Sequence, residues 1–481
     1  MYNGPPSEHT SLFSQLSRYG KHIAVIEESG KQWTYSELLS DCDALCAHIP
    51  SGSLILMICS NDYDTLCCYI GAMRKHLVPL LLPSDIRAYY LHDLIERFHP
   101  GYLWTDRHHI ATGADTVVAT TNDHQLLQTQ FAHKPDAKHD QLALLMATSG
   151  STASPQMVRL STQNLQANAT SIVSYLPIDA RQRVMLTLPM NYSYGLSIIN
   201  THMLCGATIL LPSSTCFDEG FWNFFETAQA TSFSGVPHFY RNLQHVGFFS
   251  DRSYPHLRYI TQAGGKLPIE LNRIISSWCE RNRIRFFVMY GQTEATARIA
   301  YLPSEYAVSK CGSIGKAIAD GKLWIEDDDG AVIEEPMREG QLCYEGPNVG
   351  LGYAYDRFDL GLDNQWNTQV RTGDIAYRDD EGFYFIVGRK NRLAKIFGIR
   401  TNLQDLEQIL ERAGFPTACI AKEEGVVAYT EGEVDSEQIR SMIVATTSIP
   451  SAAVTVVGLE RLPRNEAGKI LYSQLEHQPN V

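Results

Sequence analysis

The sequence predicts an α/β protein with a large N-terminal domain of parallel sheets, a β-rich subdomain and a small mobile α+β C-terminal domain. Three observations predict it. Apolar strand-like runs alternate with helical segments up to Tyr290. Beyond Tyr290 the apolar runs shorten and are separated by Gly, Asp and Pro, which is typical of β structure. After a polar, basic stretch at 388–392, roughly 90 residues remain, enough for a small domain.

The elements of the large domain follow from hydrophobic period and capping residues, and Thr34 or Ser36 is the expected cap of its first helix. We predict helices over 34–49, 62–75, 162–176, 196–204, 221–228 and 269–281. We predict strands over 53–60, 77–82, 117–119, 142–146, 185–188, 208–211, 232–235 and 259–263, with a turn at Val236-Pro237.

The rest of the chain reads as short strands and one helix. We predict strands over 322–326, 340–345, 382–387, 418–420, 426–429 and 453–457, and a helix over 403–412. The domain boundary is expected at Gly388 to Asn391. Residues 1–388 then form the N-terminal domain, with its β-rich part at about 300–388, and residues 389–481 form the C-terminal domain.

Charge and composition narrow the classes of function. The net charge of −13 argues against nonspecific binding to nucleic acid or to an anionic membrane. The N-terminus has no basic start followed by an apolar core, and no apolar run approaches the ~20 residues of a membrane span. The eleven cysteines are scattered without paired CxxC clusters, which favours free thiols and a cytoplasmic location over disulfides or zinc.

A loop of small and hydroxyl residues follows the predicted strand at 142–146. It reads Thr148, Ser149, Gly150, Ser151, Thr152. Such a loop can turn several N–H and O–H groups toward one anion, so it is a candidate phosphate-binding loop. The alternative is an ordinary solvated turn. It is not a Walker A loop, because no Gly-Lys-Ser/Thr follows the glycine.

Four further motifs follow this loop in order: YGQTE at Tyr290 to Glu294, RTGD at 371–374, GR at 388–389 and LPRNEAGK at 462–469. Together the five resemble the acid-activating adenylate-forming enzymes, which include acyl- and aryl-CoA synthetases, amino-acid adenylation domains and firefly luciferase. The resemblance implies an ATP- and Mg²⁺-dependent ligase. An acid and ATP give an acyl-adenylate and pyrophosphate, and a phosphopantetheine thiol then displaces AMP.

The resemblance also implies roles for individual residues. The loop Thr148 to Thr152 would bind the β- and γ-phosphates. Tyr290, followed by Gly291 and Gln292, would stack near adenine, Thr293 would contact the α-phosphate and Glu294 would help to hold Mg²⁺. In the C-terminal half, Asp374 would accept hydrogen bonds from the ribose hydroxyls and Arg389 would contact ribose and phosphate. Asn391 falls at the hinge, and Lys469 would bridge the carboxylate and the α-phosphate.

The phosphate loop departs from the family pattern at three positions. Ala153 and Met157 stand where glycines are usual, and Gln156 stands where a lysine is usual. The missing lysine removes a positive charge near the leaving pyrophosphate. Arg159 could replace it; alternatively adenylation is slow, or the loop closes only loosely.

The acid pocket resembles the family in two segments. Ala263-Gly264-Gly265 resembles the loop along adenine and the acyl group. PMNYSYGL at 189–196 resembles a ligase segment with Tyr192 at a histidine position, followed by Ser193 and Gly195. The aspartate that pairs with a substrate ammonium in amino-acid adenylation domains is missing from this segment, which favours an uncharged end on the substrate, although Asp218 or Glu219 could serve an amine.

A fatty or aryl acid is therefore the favoured substrate, and CoA or an acyl- or peptidyl-carrier protein in trans is the favoured acceptor. Two alternatives stay open. One is a stand-alone amino-acid adenylating enzyme that loads a carrier protein. The other is a degenerate nucleotide-binding protein without ligase activity, which the three departures in the phosphate loop motivate.

Overall fold

The structure is a computed structural model that describes residues 12–107, 116–132, 138–148, 156–250, 253–396, 399–422, 425–432, 435–447, 449–465 and 468–476. These residues divide into two compact units. The first unit contains the described residues of 12–322 and 344–370, and the second contains those of 323–343 and 371–476. Each unit is described by itself below.

The strands are, in chain order, β1 (Ile23–Glu27), β2 (Gln32–Thr34), β3 (Leu54–Cys59), β4 (Val78–Pro83), β5 (Tyr102–Asp106), β6 (Thr116–Thr120), β7 (His124–Gln128), β8 (Leu142–Ala147), β9 (Met157–Ser161), β10 (Arg183–Met185), β11 (Thr208–Leu211), β12 (Ser232–Gly235), β13 (Tyr259–Gln262), β14 (Arg285–Tyr290), β15 (Ala300–Leu302), β16 (Lys316–Ala317), β17 (Lys322–Glu326), β18 (Gly340–Glu345), β19 (Gly352–Ala354), β20 (Gln369–Arg378), β21 (Tyr384–Arg389), β22 (Leu393–Ile396), β23 (Ile399–Asn402), β24 (Thr417–Lys422), β25 (Gly425–Glu431) and β26 (Val454–Leu459).

The α-helices are α1 (Tyr35–Leu45), α2 (Tyr63–Arg74), α3 (Ala88–Phe98), α4 (Thr162–Tyr175), α5 (Ser193–Leu204), α6 (Glu219–Thr227), α7 (Pro237–His245), α8 (Ile269–Asn282), α9 (Leu403–Arg412), α10 (Ser436–Thr447) and α11 (Tyr472–Glu476). Short polar side chains fix several of their starts. Thr34 and Glu37 form a capping box at α1, Ser161 and Asn164 form the corresponding pair at α4, and Asp62 caps α2.

A nine-stranded sheet in the first unit has the order β16-β15-β14-β13-β12-β10-β11-β1-β2. The strands from β14 to β1 in this order run parallel, and the edge strands are antiparallel. The carboxyl ends of β10, β12, β13 and β14 therefore open at the same edge of the sheet. Ligand-binding loops in parallel α/β sheets lie at this kind of edge.

The second large sheet of the first unit has eight strands in the order β19-β9-β8-β4-β3-β5-β7-β6. Its central strands β8, β4, β3 and β5 run parallel. Strand β9 pairs antiparallel with β8, and β19 pairs antiparallel with β9. The parallel strands β3 and β4 are almost continuously apolar and buried, as strands covered on both faces are. The loop after β8 thus connects two neighbouring antiparallel strands of this sheet.

The second unit contains smaller sheets. Most of the four-stranded sheet β17-β18-β20-β21 belongs to it, together with the hairpin β22-β23 and the sheet β24-β25-β26. One apolar cluster of this unit contains Leu403, Leu406 and Leu410 of α9 and Ile439 and Ile443 of α10. Asn402 caps α9 by accepting a hydrogen bond from the Gln404 N–H.

The predicted α/β class is confirmed, and most predicted elements lie within a few residues of the observed ones. Two predictions are wrong in detail. The strand predicted over 185–188 is β10, which ends at Met185. The turn predicted at Val236-Pro237 is the start of α7, because Pro237 occupies the first helical position, where its missing N–H costs nothing.

Candidate active site

Four loops of the first unit meet at the carboxyl-terminal edge of the nine-stranded sheet. They follow β10, β12, β13 and β14, and they carry Tyr192, Val236, Gly264 and the YGQTE motif. Parallel pairing of these strands brings together segments that are up to about a hundred residues apart. The predicted pocket residues and the YGQTE motif therefore share one edge.

Tyr192 and Gly264 are in direct proximity. Gly264 has φ +83°, and a β-carbon at this position would lie 2.5 Å from the Tyr192 hydroxyl oxygen and 3.0 Å from a Val236 methyl. Both the backbone angle and the space require glycine here. Gly265 follows, with its carbonyl bound by the Gln262 amide at 2.8 Å. Two residues predicted separately for the acid pocket are thus neighbours.

Ser193 and Thr293 connect the predicted acid pocket to the predicted phosphate contact. The Thr293 hydroxyl donates to the Ser193 hydroxyl at 3.4 Å, and both residues are buried. Two neighbouring glycines pack closely against backbone: a β-carbon at Gly195 would lie 2.0 Å from the Pro189 carbonyl, and one at Gly291 would lie 1.9 Å from the Ala297 carbonyl. The predicted residues Gly195 and Gly291 therefore shape the backbone around the site. Gln292, also predicted here, is half-buried.

Glu294 is half-buried and is held by the strand that flanks the phosphate loop. Its Oε1 accepts a hydrogen bond from the Tyr353 hydroxyl at 2.8 Å, and its backbone carbonyl accepts one from the Gly350 N–H at 2.9 Å. Tyr353 lies on β19 opposite Val158 of β9. Burial and the nearby Glu294 carboxylate raise the pKa of the Tyr353 phenol well above its usual value, so it remains a donor.

The Glu294 carboxylate fits a hard divalent cation. Among the described residues, its Oε2 has no recorded hydrogen-bond partner, so one carboxylate oxygen remains for a ligand. Mg²⁺ in phosphate sites usually takes one or two carboxylates and completes its shell with phosphate oxygens and water. In the described part of the chain, no three His, Cys, Asp or Glu side chains gather into a metal-binding group.

A strained turn follows Glu294. Thr296 has φ +64° and ψ −59°, and the Ala297 N–H donates to the Ala295 carbonyl at 2.7 Å, which defines a γ-turn of the rare φ-positive kind. A β-branched residue in this conformation is an outlier that its surroundings must hold in place. Asn348 holds it: its carbonyl accepts from the Thr296 hydroxyl at 2.7 Å, and its side-chain amide donates to the Ala295 and Arg298 carbonyls at 2.8 Å each.

Of the predicted phosphate loop, Thr148 to Thr152, only Thr148 is described. The Thr148 N–H donates to the Gln156 carbonyl at 3.1 Å, which closes the loop at its base. Ser149, Gly150, Ser151, Thr152 and Ala153 lie outside the described residues. Met157, which stands where the family has a glycine, is fully buried in an apolar cluster. Its replacement of glycine is explained by packing.

Arg159 cannot replace the missing loop lysine, so this expectation is wrong. It is fully buried, and its guanidinium donates to the carbonyls of Leu362, Leu351 and Asp363 and to the Gln365 side chain. These acceptors fix the segment that follows β19. Burial lowers the pKa of the Arg159 guanidinium, but its role is to hold neighbouring backbone rather than to meet a phosphate.

In the second unit, Asp374 and Arg389 form a pair. They lie opposite each other in the β20–β21 ladder, and Arg389 Nε is 3.2 Å from Asp374 Oδ1. The Asp374 side chain is 7% exposed, whereas that of Arg389 is 54% exposed. The Asp374 N–H donates to the Thr372 hydroxyl at 3.1 Å, which fixes the turn. The TGD and GR motifs thus supply one charged pair.

The two other predicted residues of the second unit lie in turns. Asn391 lies within the short 3₁₀ segment Lys390–Arg392, directly after β21. Lys469 follows Gly468, which has φ +73°. The Lys469 N–H donates to the Asn465 side chain, and its carbonyl accepts from the Asn465 N–H, both at 2.9 Å. The Lys469 backbone is therefore fixed by a tight turn.

Three residues near the site were not predicted from the sequence. Tyr353 binds Glu294 of the YGQTE motif, Asn348 binds Ala295 directly after the motif, and Arg298 is a buried residue of the segment that follows. Asn348 and Tyr353 stand in the GPNVGLGY segment at 346–353. No local signal distinguishes them, because the Ala295 carbonyl that Asn348 binds and the Glu294 carboxylate that Tyr353 binds lie more than fifty residues away in the chain.

None of the helices in the described ranges combines the length and the hydrophobicity needed to span a bilayer. No disulfide links any of the eleven cysteines, all of which lie in described parts of the chain.

Fold and site together define the class as a nucleotide-dependent enzyme with parallel α/β sheets and a YGQTE-type loop. The sequence model of the AMP-binding enzyme family matches residues 12–354, which is well over half of the chain. The chain therefore belongs to the AMP-binding enzyme family. The predicted resemblance is confirmed, and so is the predicted class of enzyme, an AMP-forming acid–thiol ligase.

Curated relatives are similar over most of the chain. The chain is 26% identical over 483 residues to a 2-succinylbenzoate–CoA ligase of Bacillus velezensis (strain DSM 23117 / BGSC 10A6 / LMG 26770 / FZB42), with 95% of each chain covered. It is 25% identical to the ligase of the same name from Bacillus subtilis (strain 168), again over 95% of each.

Solved structures share the fold. The o-succinylbenzoate CoA synthetase (MenE) from Bacillus subtilis in complex with the acyl-adenylate intermediate OSB-AMP has a TM-score of 0.79 at 23% identity, covering 98% of this chain and 99% of that one. ATP-bound MatB from Rhodopseudomonas palustris has a TM-score of 0.77 at 19% identity, covering 97% and 98%. At these identities the likeness concerns the fold.

Proposed function

We propose that this chain activates a carboxylic acid with MgATP and transfers the acyl group to the thiol of CoA. The observation that carries the proposal is the cluster of Tyr192, Ser193, Gly264, Thr293 and Glu294 at one sheet edge. It joins the predicted acid pocket, the α-phosphate contact and a cation ligand within one unit. The two curated relatives described above are both named as CoA ligases, which supports CoA as the acceptor.

The first half-reaction breaks the bond between the α- and β-phosphates. A carboxylate oxygen of the acid attacks the α-phosphorus, an O–P bond forms, and pyrophosphate leaves. Mg²⁺ bound by Glu294 would supply charge neutralisation for the leaving pyrophosphate. Thr293 would donate to the α-phosphate, and Lys469 would contact both the carboxylate and an α-phosphate oxygen.

The second half-reaction needs no further phosphate chemistry. The thiolate attacks the acyl carbon, the bond between that carbon and the phosphate oxygen breaks, and AMP leaves. Asp374 and Arg389 would hold the ribose through both half-reactions, because a carboxylate accepts from two hydroxyls and the guanidinium lies 3.2 Å from it. The same proposal includes three further assignments: residues 148–152 as the phosphate loop, Asn391 as the hinge, and a domain boundary at 388–389.

The test described below also covers two alternatives, a carrier protein as the thiol acceptor and an amino acid as the substrate. Asp218, which could have served an amine, is exposed and accepts hydrogen bonds from the N–H and hydroxyl of Thr215 at 2.8 and 2.7 Å. This geometry supports a surface turn rather than a substrate contact. A cytoplasmic location, supported by the eleven thiols, is proposed with the function.

The experiment is acid-dependent exchange of labelled pyrophosphate into ATP over a panel of fatty, aryl and amino acids. Exchange with at least one fatty or aryl acid is expected, followed by thioester formation when CoA is added. Glu294→Gln should lower exchange about 100-fold, since one group that stabilises the transition-state charge is lost. An exposed-site control, Glu280→Gln, should leave exchange unchanged. Exchange confined to amino acids, or no exchange with any acid, would overturn the proposal.

A further inference from the structure

Glu407 of α9 connects three segments of the second unit. Its Oε1 accepts hydrogen bonds from the Arg392 guanidinium and from the Cys419 N–H, the latter at 2.7 Å. Its Oε2 accepts a hydrogen bond from the Tyr472 hydroxyl at 2.9 Å. One carboxylate therefore binds the segment directly after β21, strand β24 and helix α11.

Arg392 and Tyr472 also contact each other. The guanidinium carbon lies 4.1 Å from the centre of the Tyr472 ring, a distance at which an aromatic face attracts a cation. Burial and the Glu407 carboxylate raise the pKa of the Tyr472 phenol well above its usual value, so the hydroxyl remains a donor. Arg392, Glu407 and Tyr472 thus form a closed group, the Glu407 triad, in which each side chain contacts the other two.

The ion pair within the Glu407 triad is buried. The side chains of Arg392 and Glu407 are 14% and 11% exposed, whereas every other ion pair within the described residues of the second unit has a partner that is more than half exposed. Desolvation offsets much of the attraction in a buried pair, so such a pair contributes little net stability. A better attested role of buried ion pairs is to select one arrangement of the segments that carry them.

Tyr472 directly follows the hairpin that carries Lys469. The Leu471 N–H donates to the Pro463 carbonyl at 2.8 Å at the base of this hairpin. The Lys469 carbonyl accepts from the Asn465 N–H at 2.9 Å near its tip. Because Tyr472 is three residues from Lys469 and adjoins the base of the hairpin, a displacement of Tyr472 would also displace Lys469.

We propose that the Glu407 triad positions Lys469 for acyl-adenylate formation, so that Arg392 and Tyr472 are positioning residues of the first half-reaction. The inference rests on the proposed function, and within it on the role of Lys469. The proposed mechanism uses Lys469 only while the acid attacks the α-phosphorus. Loss of a triad contact should therefore slow the first half-reaction and leave the second unchanged, whereas a merely structural role would slow both.

The test measures the two half-reactions separately in single turnovers of the full-length protein. Acyl-adenylate formation starts from MgATP and the acid that gives exchange, and thioester formation starts from the synthetic acyl-adenylate and CoA. Tyr472→Phe removes the hydrogen bond to Glu407 and keeps the ring beside Arg392. It should lower the rate of the first half-reaction about 10-fold and that of the second less than about 2-fold, because a small misplacement of a reacting group is costly.

Tyr384→Phe is the matched control. It also removes one buried tyrosine hydroxyl of the second unit, which donates to the Leu323 carbonyl at 2.9 Å. Both half-reactions should keep the unmodified rates. Arg392→Lys is the second variant, and it carries the same test where thermal unfolding shows that Tyr472→Phe is not folded. It keeps the charge but loses the planar fork, so the first half-reaction should slow about 3-fold and the second should not change.

A double-mutant cycle tests whether Tyr472 acts through Lys469. If it does, Tyr472→Phe combined with Lys469→Ala should form the acyl-adenylate at the rate of Lys469→Ala alone, because the positioned group is already missing. Independent effects would instead multiply, giving a further loss of about 10-fold in the double variant.

The outcomes separate the inference from the function on which it rests. Equal losses in both half-reactions, an unchanged first half-reaction in folded triad variants, or multiplied losses in the double variant would overturn the inference and leave the proposed function standing. Absence of acyl-adenylate formation with every acid would overturn the proposed function itself.

Discussion

Asp374 and Arg389 face each other across the β20–β21 ladder, and Arg389 Nε lies 3.2 Å from Asp374 Oδ1. The two residues belong to two separate motifs of the sequence, RTGD and GR. Their pairing gives a buried acceptor next to a half-exposed cation. That combination suits a neutral hydroxyl-bearing group that is joined to a phosphate.

Replacing Asp374 by Asn should weaken nucleotide binding. The amide keeps the shape but loses the charge that pairs with Arg389 and accepts from the ribose. The KM for ATP is expected to rise about 10- to 100-fold, the range for hydrogen bonds to a charged group. The measurement is the ATP dependence of pyrophosphate exchange. Asp380→Asn, at an exposed site in the same hairpin, is the control. Equal KM values for both variants would count against a ribose contact at Asp374.

Removing the Lys469 ammonium should affect chemistry more than nucleotide binding. Lys469→Ala is expected to lower the rate of acyl-adenylate formation by about 100- to 1000-fold, since a group that meets charge in the transition state is lost. ATP affinity, measured by equilibrium binding, should change little. Lys21→Ala, an exposed lysine of the first unit, is the control. Adenylation at the unmodified rate in Lys469→Ala would contradict the proposed role.

Asn348 should stabilise both the fold and the turn after Glu294. Asn348→Ala removes two bonds from the side-chain amide and the acceptor of the Tyr344 hydroxyl, which donates to it at 2.7 Å. We expect a loss of about 2 to 4 kcal/mol in the free energy of unfolding and a melting temperature lower by several degrees. Thermal unfolding checks this, with Asn223→Ala at an exposed helical site as the control. Matching melting temperatures would show that the turn needs no such support.

His202 should make the first unit sensitive to mild acid. Burial lowers the pKa of its imidazole from 6.5 to about 4. Between these values the unfolded chain binds a proton that the folded chain does not, so stability rises with pH. The folded protein keeps its full free energy of unfolding above pH 6.5. It loses about 3 kcal/mol of that free energy as the pH falls toward 4. His202→Gln removes the titration and keeps groups that can bond Ile198 and Tyr259. Unfolding free energies should therefore fall less steeply with acid in the variant than in the unmodified protein, and identical slopes would contradict the account.

Much of the fold could be predicted because its signals are local. The apolar runs of β3, β4 and β8 and the capping residues Thr34 and Asp62 specify elements within a few residues of themselves. Val236-Pro237 was misread because a proline after a strand fits both a turn and the first position of a helix.

Site residues could be predicted where they belong to a sequence motif. They could not be predicted where their role depends on a contact with a residue that is distant in the sequence. Thr293 and Glu294 stand in a motif, whereas Tyr353 acts on Glu294 only because β19 pairs with β9. Arg159 and Arg298 look alike in the sequence. Only their surroundings distinguish them. The Arg159 guanidinium donates to four oxygen acceptors, whereas the Arg298 guanidinium lies against the Tyr194 ring and contacts the Met289 sulfur, the Tyr175 hydroxyl and the Ala297 carbonyl.

The central claim is that the acid is activated as an acyl-adenylate. The most direct test is whether an oxygen atom of the reacting carboxylate is transferred to AMP. The acid that gives exchange is supplied with its reacting carboxylate labelled with ¹⁸O, together with ATP, Mg²⁺ and CoA, and the nucleotide product is analysed by mass spectrometry. Attack of the carboxylate on the α-phosphorus, followed by thiol attack on the acyl carbon, leaves one labelled oxygen in AMP. The account predicts AMP that carries a single ¹⁸O. Unlabelled AMP, or ADP and phosphate as the products, would contradict it.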